Sequence, residues 1–194
     1  MPNEPSRVTI HMAASLDGFI ARSDGRVDWM ETADTFERGE ALTPEFVTEF
    51  LERIDCYVMG SRTYETALDF EAQGLGWSYG DKPTFVLTHR TLRKTRNTVE
   101  FYSGDLERLV NERLKPQFRS IWFVGGSEVC SSCLRLGLAD EVRYSVLPIV
   151  IGDGLSFFAG LDRDVALHLL DSTAYKNGIV ALRYEVRAPR PSPP

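Results

Sequence analysis

The chain has 194 residues, a formal net charge of −6, and a composition that is 43% hydrophobic, 11% aromatic and 26% charged. This length favours one domain with a sizeable core, and the composition excludes a disordered chain, a collagen-like chain and a disulfide-stapled miniprotein. The acidic balance argues against a nucleic-acid polymer as partner, which needs a broad positive field to displace counterions from phosphate.

The start, Met-Pro-Asn-Glu-Pro-Ser, is polar and lacks the apolar stretch of a secretory signal. The longest apolar run, residues 144–152, is broken by Ser145 and Pro148 and is too short to span a bilayer, so no membrane partner is expected. Cys56, Cys130 and Cys133 are odd in number and too few for a disulfide framework. These features together point to the cytoplasm, where thiols stay reduced.

Residues 7–14 read as a first strand, with Val8, Ile10 and Met12 on one side. Residues 16–29 form a loop with turns at Asp17-Gly18 and Asp24-Gly25. Thr43-Pro44 opens a helix as N-cap and first helical residue, and Phe46, Val47, Phe50, Leu51 and Ile54 give it one face expected to be buried. A short buried strand over 55–60 then ends at a second helix start. Strands follow over 84–88 and 98–102, a helix over 105–115, and a buried strand over 120–124 that leads through Gly125-Gly126 into a helix ending at Leu136. Strands over 141–149, 165–175 and 179–186 close the sheet, the last two joined by Lys176-Asn177-Gly178. The fold class is α/β: a mostly parallel sheet covered by helices, with a C-terminal antiparallel hairpin. Residues 1–187 form the single domain, and residues 188–194, with four prolines, an extended tail.

In such a sheet ligands bind beyond the carboxyl ends of strands. Three ends suit an anion. Gly60-Ser61-Arg62-Thr63 joins a helix N-terminus to two hydroxyls and a guanidinium, although Ser or Thr there also serves as a plain cap. Gly125-Gly126-Ser127-Glu128 lets a backbone approach a pyrophosphate, or is an ordinary strand-to-helix turn; it is not the GxGxxG fingerprint. Thr88-His89-Arg90, followed by Arg93, Lys94 and Arg96, forms a basic cluster suited to the extra 2′-phosphate of NADPH, or else a solvated loop.

Four segments in order then resemble the dihydrofolate reductase-like superfamily, and within it the reductase domain of bacterial riboflavin biosynthesis. His11-Met-Ala-Ala-Ser-Leu-Asp-Gly-Phe-Ile-Ala21, with Gly25 and Asp28-Trp29, is similar to its SLDG opening. Val58-Met-Gly-Ser-Arg-Thr-Tyr-Glu65, Phe123-Val-Gly-Gly-Ser127, and Gly137 to Phe158 are similar to its second-strand, glycine-pair and closing motifs. The resemblance implies the dihydrofolate reductase sheet and NADPH as cofactor. It implies that Ala13 and Ile20 hold the nicotinamide carboxamide and that Gly60, Ser61, Arg62 and Thr63 meet phosphates. Thr88, His89 and Arg90 would take the 2′-phosphate, and Gly125, Gly126, Ser127, Glu128 and Val129 would wrap the pyrophosphate.

On the substrate side, the family's spacing forward from Trp29 lands on Asp34 as the carboxylate that helps protonate the acceptor. The spacing back from Arg62 lands on Glu45, because this chain carries extra residues in between. Glu45 is preferred, in the first turn of a capped helix beside Phe46; the alternative is a solvent-facing Glu favoured by the helix dipole. Asp17 is first a turn residue and second a substrate contact, and Trp29 lines the substrate pocket or anchors a lid. His11 replaces the lysine of the riboflavin reductases and Val124 their acid before the glycine pair, which puts the ribitylamino-pyrimidine phosphate in doubt as substrate.

Cys130-Ser-Ser-Cys133 has a CxxC redox spacing, but it follows a glycine pair late in the chain rather than the first strand of a thioredoxin-like unit. No His, Cys or carboxylate spacing supports a metal site. Residues 146–158 read as mostly core and as a candidate homodimer interface. The leading expectation is an NADPH-dependent reductase of a small pterin-, pyrimidine- or flavin-like molecule. The alternatives are a nucleotide-binding protein of the same fold without turnover, and a true dihydrofolate reductase.

Overall fold

The computed structural model describes residues 5–187. Its strands are β1 (Arg7–Ser15), β2 (Phe19–Ala21), β3 (Cys56–Gly60), β4 (Thr84–Leu87), β5 (Val99–Tyr102), β6 (Ser120–Gly125), β7 (Glu141–Leu147), β8 (Leu155–Ser156), β9 (Leu167–Ala174) and β10 (Val180–Val186). The helices are α1 (Pro44–Glu52), α2 (Ser61–Ala72), α3 (Leu106–Arg108), which continues as a π-helical segment over Leu109–Leu114, and α4 (Ser127–Arg135). Eight strands form one sheet in the order β5-β4-β3-β6-β1-β7-β10-β9. The first six in that order run parallel, and β10 and β9 are antiparallel, as the sequence pattern implies.

Alternation along β1 sets the two faces of the sheet. Val8, Ile10, Met12 and Ala14 are buried in a core that also takes Leu109, Val110 and Leu114 of the π-helical segment and Cys130, Cys133 and Leu134 of α4. The opposite face builds a second core around Tyr57, Met59, Tyr64 and Val86, with Phe50, Leu51 and Trp122 packed against it.

Four expectations need correction. The 16–29 loop contains β2, which pairs antiparallel with β8; both strands are too short to show a periodic pattern. The apolar face of α1 is not buried: no residue of the helix is, Phe46 is 50% and Val47 37% exposed, and only Ile54, just beyond it, enters the core. Helical spacing reports that a face is apolar, not that something covers it. Residues 146–158 are mostly surface, with Leu147 and Phe157 buried but Val150 64% exposed. The first strand of the C-terminal hairpin is an exposed edge and starts at Leu167 rather than residue 165. The proline-rich tail lies outside the described residues. Among the described residues no helix is long and apolar enough to cross a membrane.

Glu141, at the start of β7, is buried and accepts hydrogen bonds from Arg7 (2.5 Å), Arg143 (2.5 Å) and Arg183 (2.9 and 3.1 Å). It therefore ties β1, β7 and β10 together. Burial alone would raise its carboxyl pKa, but hydrogen bonds from Arg183 and Arg143 outweigh that and hold it below the ordinary glutamate range. A depressed folded-state pKa stabilises the fold above the ordinary glutamate pKa, and the gain disappears as pH falls through the lowered one.

Glu141→Ala is therefore expected to cost about 3 kcal/mol in urea denaturation at neutral pH, since three guanidinium groups lose their shared acceptor. The deficit relative to wild type should shrink in acid; equal deficits at neutral and acid pH would contradict this role. Cys56, Cys130 and Cys133 are buried, and burial pushes all three thiols up in pKa. Cys130 Sγ lies 3.9 Å from Met12 Sδ inside the core. The thiol-redox reading of the CxxC pair is thus unfavourable. Native protein should leave a disulfide-type thiol reagent unreacted until denaturant is added, and rapid native labelling would count against this.

Candidate functional site

The parallel arrangement brings the carboxyl ends of β4, β3, β6 and β1 to one edge of the sheet. Gly60 is the N-cap of α2 and Gly126 the N-cap of α4, and neither supplies a capping side chain. The free N–H groups of two helix N-termini therefore face this edge. A Cβ at Gly60 would lie 3.3 Å from Val129 Cγ2 and 3.7 Å from the Gly126 nitrogen, so the two ends are side by side. Gly125 has φ +139°, a region side chains rarely adopt, and a Cβ there would lie 3.1 Å from Met12 Sδ and 3.6 Å from Thr63 Oγ1. The Gly125-Gly126 peptide is cis. Ser127 Oγ, at the first position of α4, is buried without a hydrogen-bond partner. An orphaned hydroxyl beside two uncapped helix starts fits a phosphate-bearing ligand.

The basic cluster past β4 is divided rather than pooled. Thr88 Oγ1 accepts the Arg90 N–H at 2.9 Å, and the Arg90 guanidinium grips Glu65 of α2 through both terminal nitrogens at 2.9 and 2.6 Å. Arg96 pairs with Glu71 and lies 4.4 Å over the Trp77 ring. Arg62, His89, Arg93 and Lys94 are exposed and have no ion pair among the described residues. Sequence shows the density of cations but not the acids that α2 sets against them.

Ala13 lies near the end of β1 and pairs with Ser145 of β7, while Ile20 sits on β2 against the first core. Asp17 serves the fold: its carboxylate accepts the N–H of Ile151 (3.2 Å) and Gly152 (2.7 Å) and fixes the loop after β7. Hydrogen bonds, the one from Ser15 foremost, hold its pKa below the ordinary range. Trp29 is buried, with Nε1 unpartnered.

The structure separates the two candidate carboxylates. Glu45 is exposed in the first turn of α1, whose N-cap Thr43 accepts the Phe46 N–H at 3.2 Å. Asp34 lies against the β9–β10 turn, where a Cβ on Gly178 would collide with its carboxylate. The extra residues that made the two spacings disagree form a strap over that turn. Phe36 N–H bonds Lys176 O at 2.7 Å, Glu40 N–H bonds Ala174 O at 2.8 Å, and Lys176 N–H returns to Glu40 O at 2.9 Å. Because β10 runs antiparallel to β7, this turn stands at the same edge as the carboxyl ends of the parallel strands. Phe46 reaches it, its ring 6.5 Å from that of Tyr175.

A polar row that joins His11 of β1 to Ser145 of β7 lies next to Ala13. His11 Nε2 and Ser145 Oγ are 3.1 Å apart, and the imidazole stacks on Trp122 at 4.9 Å. Burial first, then the charge of Arg143, lowers the His11 pKa to about 4. The register of β1 against β7 makes this row, and sequence periodicity does not give register between strands distant in the chain. Among the described residues no group of three or more His, Cys, Asp and Glu side chains is placed to hold a metal ion.

The family profile of the RibD C-terminal domain matches residues 6–181. A Bacillus subtilis strain 168 protein of uncharacterised function, YwjB, is 30% identical over 164 residues, covering 84% of this chain and 88% of its own. A Shewanella sp. PV-4 protein assigned provisionally to riboflavin biosynthesis superposes with a TM-score of 0.78 at 24% identity, covering 94% of this chain and 99% of that one. Dihydrofolate reductase from Enterococcus faecalis, solved with NADP(H), superposes with a TM-score of 0.57 at 17% identity, covering 94% and 97%. These likenesses show a dihydrofolate reductase-like α/β fold of the reductase type, and the profile match over nearly the whole length places the chain in the RibD C-terminal domain family.

Proposed function

We propose that the chain is an NADPH-dependent reductase that passes hydride to a C=N or C=O bond of a small pterin-, pyrimidine- or flavin-like molecule. The observation that supports this most strongly is the meeting of two uncapped helix starts at Gly60 and Gly126 over the orphaned Ser127 hydroxyl. In this reading Gly60, Ser61, Arg62 and Thr63 and, across from them, Gly125, Gly126, Ser127, Glu128 and Val129 hold the phosphates. Thr88, His89 and Arg90 receive the 2′-phosphate, with Arg90 moving from Glu65 or sharing it. The backbone of Ala13 and Ile20 orients the carboxamide. Bound NADPH supplies the hydride from nicotinamide C4. Trp29 and Phe46 flank the acceptor, Asp17 keeps the adjoining loop in place, and Glu45 or Asp34 delivers the proton, directly or through water. Of the two we favour Glu45, because the Asp34 carboxylate, though exposed, lies against Gly178 of the β9–β10 turn.

A cytoplasmic location and a homodimer through residues 146–158, where Val150 is exposed, belong to the same reading. The exposure of both carboxylates favours one second reading: a dinucleotide-binding protein without turnover. NADPH oxidation with dihydrofolate, other pterins, pyrimidines and flavins separates that reading, and true dihydrofolate reduction, from the first.

Protein fluorescence titrated with NADPH and NADH should show micromolar NADPH binding and weaker NADH binding. Arg90→Ala should lower NADPH affinity by about tenfold and leave NADH nearly unchanged. Absence of NADPH binding, or an equal effect on both cofactors, would remove the support for this assignment. Gly125→Ala should cost about 1–3 kcal/mol in denaturant, from its positive φ, and weaken binding of both dinucleotides. Wild-type stability and affinity in that variant would mean the glycine is not required.

A further inference from the structure

Three side-chain ties join α2 to the segment that follows β4. Tyr64, 1% exposed, donates its hydroxyl hydrogen to Arg93 O at 2.9 Å and fixes the backbone of that segment from inside the second core. Glu71 pairs with Arg96, which also lies over the Trp77 ring. Glu65 takes the Arg90 guanidinium in a two-point grip, Nη1 to Oε2 at 2.9 Å and Nη2 to Oε1 at 2.6 Å. The first tie is buried and the second partly so. The third stands in solvent, with the Arg90 and Glu65 side chains 57% and 40% exposed.

The grip is not needed to place the backbone of Arg90, whose N–H is held by Thr88 Oγ1 at 2.9 Å within its own turn. A pair this exposed also contributes little to folding. Its consequence lies in what it offers a ligand. A guanidinium is the group that recognises the 2′-phosphate of NADPH, whereas sites selective for NADH set a carboxylate against the ribose 2′-hydroxyl. Here the two are joined, and each masks the other. Arg62, Arg93 and Lys94 keep their charge free of ion pairs among the described residues, so α2 neutralises only Arg90 and Arg96.

We infer that Glu65 sets the dinucleotide preference of the site: by occupying Arg90 it narrows the advantage of NADPH over NADH. A 2′-phosphate, carrying between about one and two negative charges, must displace the carboxylate or share the guanidinium with it. NADH lacks that phosphate and gains nothing when Arg90 is freed. Because the pair is exposed, displacing it costs a factor of about three to five in affinity, which limits NADPH binding without blocking it. The inference rests on the proposed placement of the 2′-phosphate at Thr88, His89 and Arg90, and adds to that site an acidic residue which opposes it.

Binding to the full chain tests it. NADPH and NADH are followed by protein fluorescence. Adenosine 2′,5′-bisphosphate and AMP, which present the adenosine end alone with and without the 2′-phosphate, are followed by calorimetry. Glu65→Gln should raise the affinity for NADPH and for the bisphosphate about three- to fivefold, and leave NADH and AMP within about twofold of wild type. Glu65→Gln combined with Arg90→Gln should lose the gain and bind NADPH less tightly than wild type. An NADPH-to-NADH affinity ratio that is unchanged or lower in Glu65→Gln overturns the inference, as does a gain that survives without Arg90. Tyr64 still holds the segment in the variant, so a parallel loss of both dinucleotides would make Glu65 a structural residue and equally overturn it. NADPH bound with an unmoved ratio sinks the role of Glu65 alone. No NADPH binding by either wild type or Glu65→Gln sinks the cofactor placement, and the role of Glu65 with it.

Discussion

The close approach of Gly60 and Gly126 organises the carboxyl edge of the sheet. Adjacent parallel strands β3 and β6 must end at the same level for α2 and α4 to start side by side. A side chain at Gly60 would press on Val129, and one at Gly125 would meet Met12 in an unfavourable backbone conformation. Two helix starts without capping side chains leave N–H groups that ordinary packing would have satisfied. That vacancy of partners, together with the Ser127 hydroxyl, is how local chain geometry becomes a candidate phosphate site.

The sheet is less uniformly covered on the side of β1, β7 and β10. There α1 touches the sheet through Phe50, on His11 and Trp122, while its first turn remains exposed. The strap over the β9–β10 turn closes the far side by backbone hydrogen bonds rather than by apolar burial. Elements held this way open at lower free energy than a packed core, which suits the wall of a site that must admit a substrate. The Glu141 cluster ties β1, β7 and β10 together at the start of β7, at the opposite end of these strands from the strap.

Much of this was legible in the sequence because it depends on local pattern. β1 alternates Val8, Ile10 and Met12, Thr43-Pro44 marks a helix start, and glycines stand at the two strand ends; each follows from periodicity or from φ requirements. What escaped depends on contacts between distant segments. The burial of Glu141 needs Arg7 and Arg183, which lie 134 and 42 residues away along the chain, and the acids facing Arg90 and Arg96 lie 25 residues before them. His11 was visible only as a substitution for a lysine. Its surroundings come from β7, which places Arg143 and Ser145 alongside. The conflict between Asp34 and Glu45 likewise needed the strap, since inserted residues displace any count made along the chain.

In the proposed function, the carboxyl edge of β4, β3, β6 and β1 holds a phosphorylated dinucleotide. A crystal structure of the chain grown with NADPH tests it most directly. The pyrophosphate is expected between the first turns of α2 and α4, with the Ser127 hydroxyl hydrogen-bonded to it and the nicotinamide beside Ala13. A dinucleotide bound elsewhere, with Ser127 still unpartnered, would contradict it.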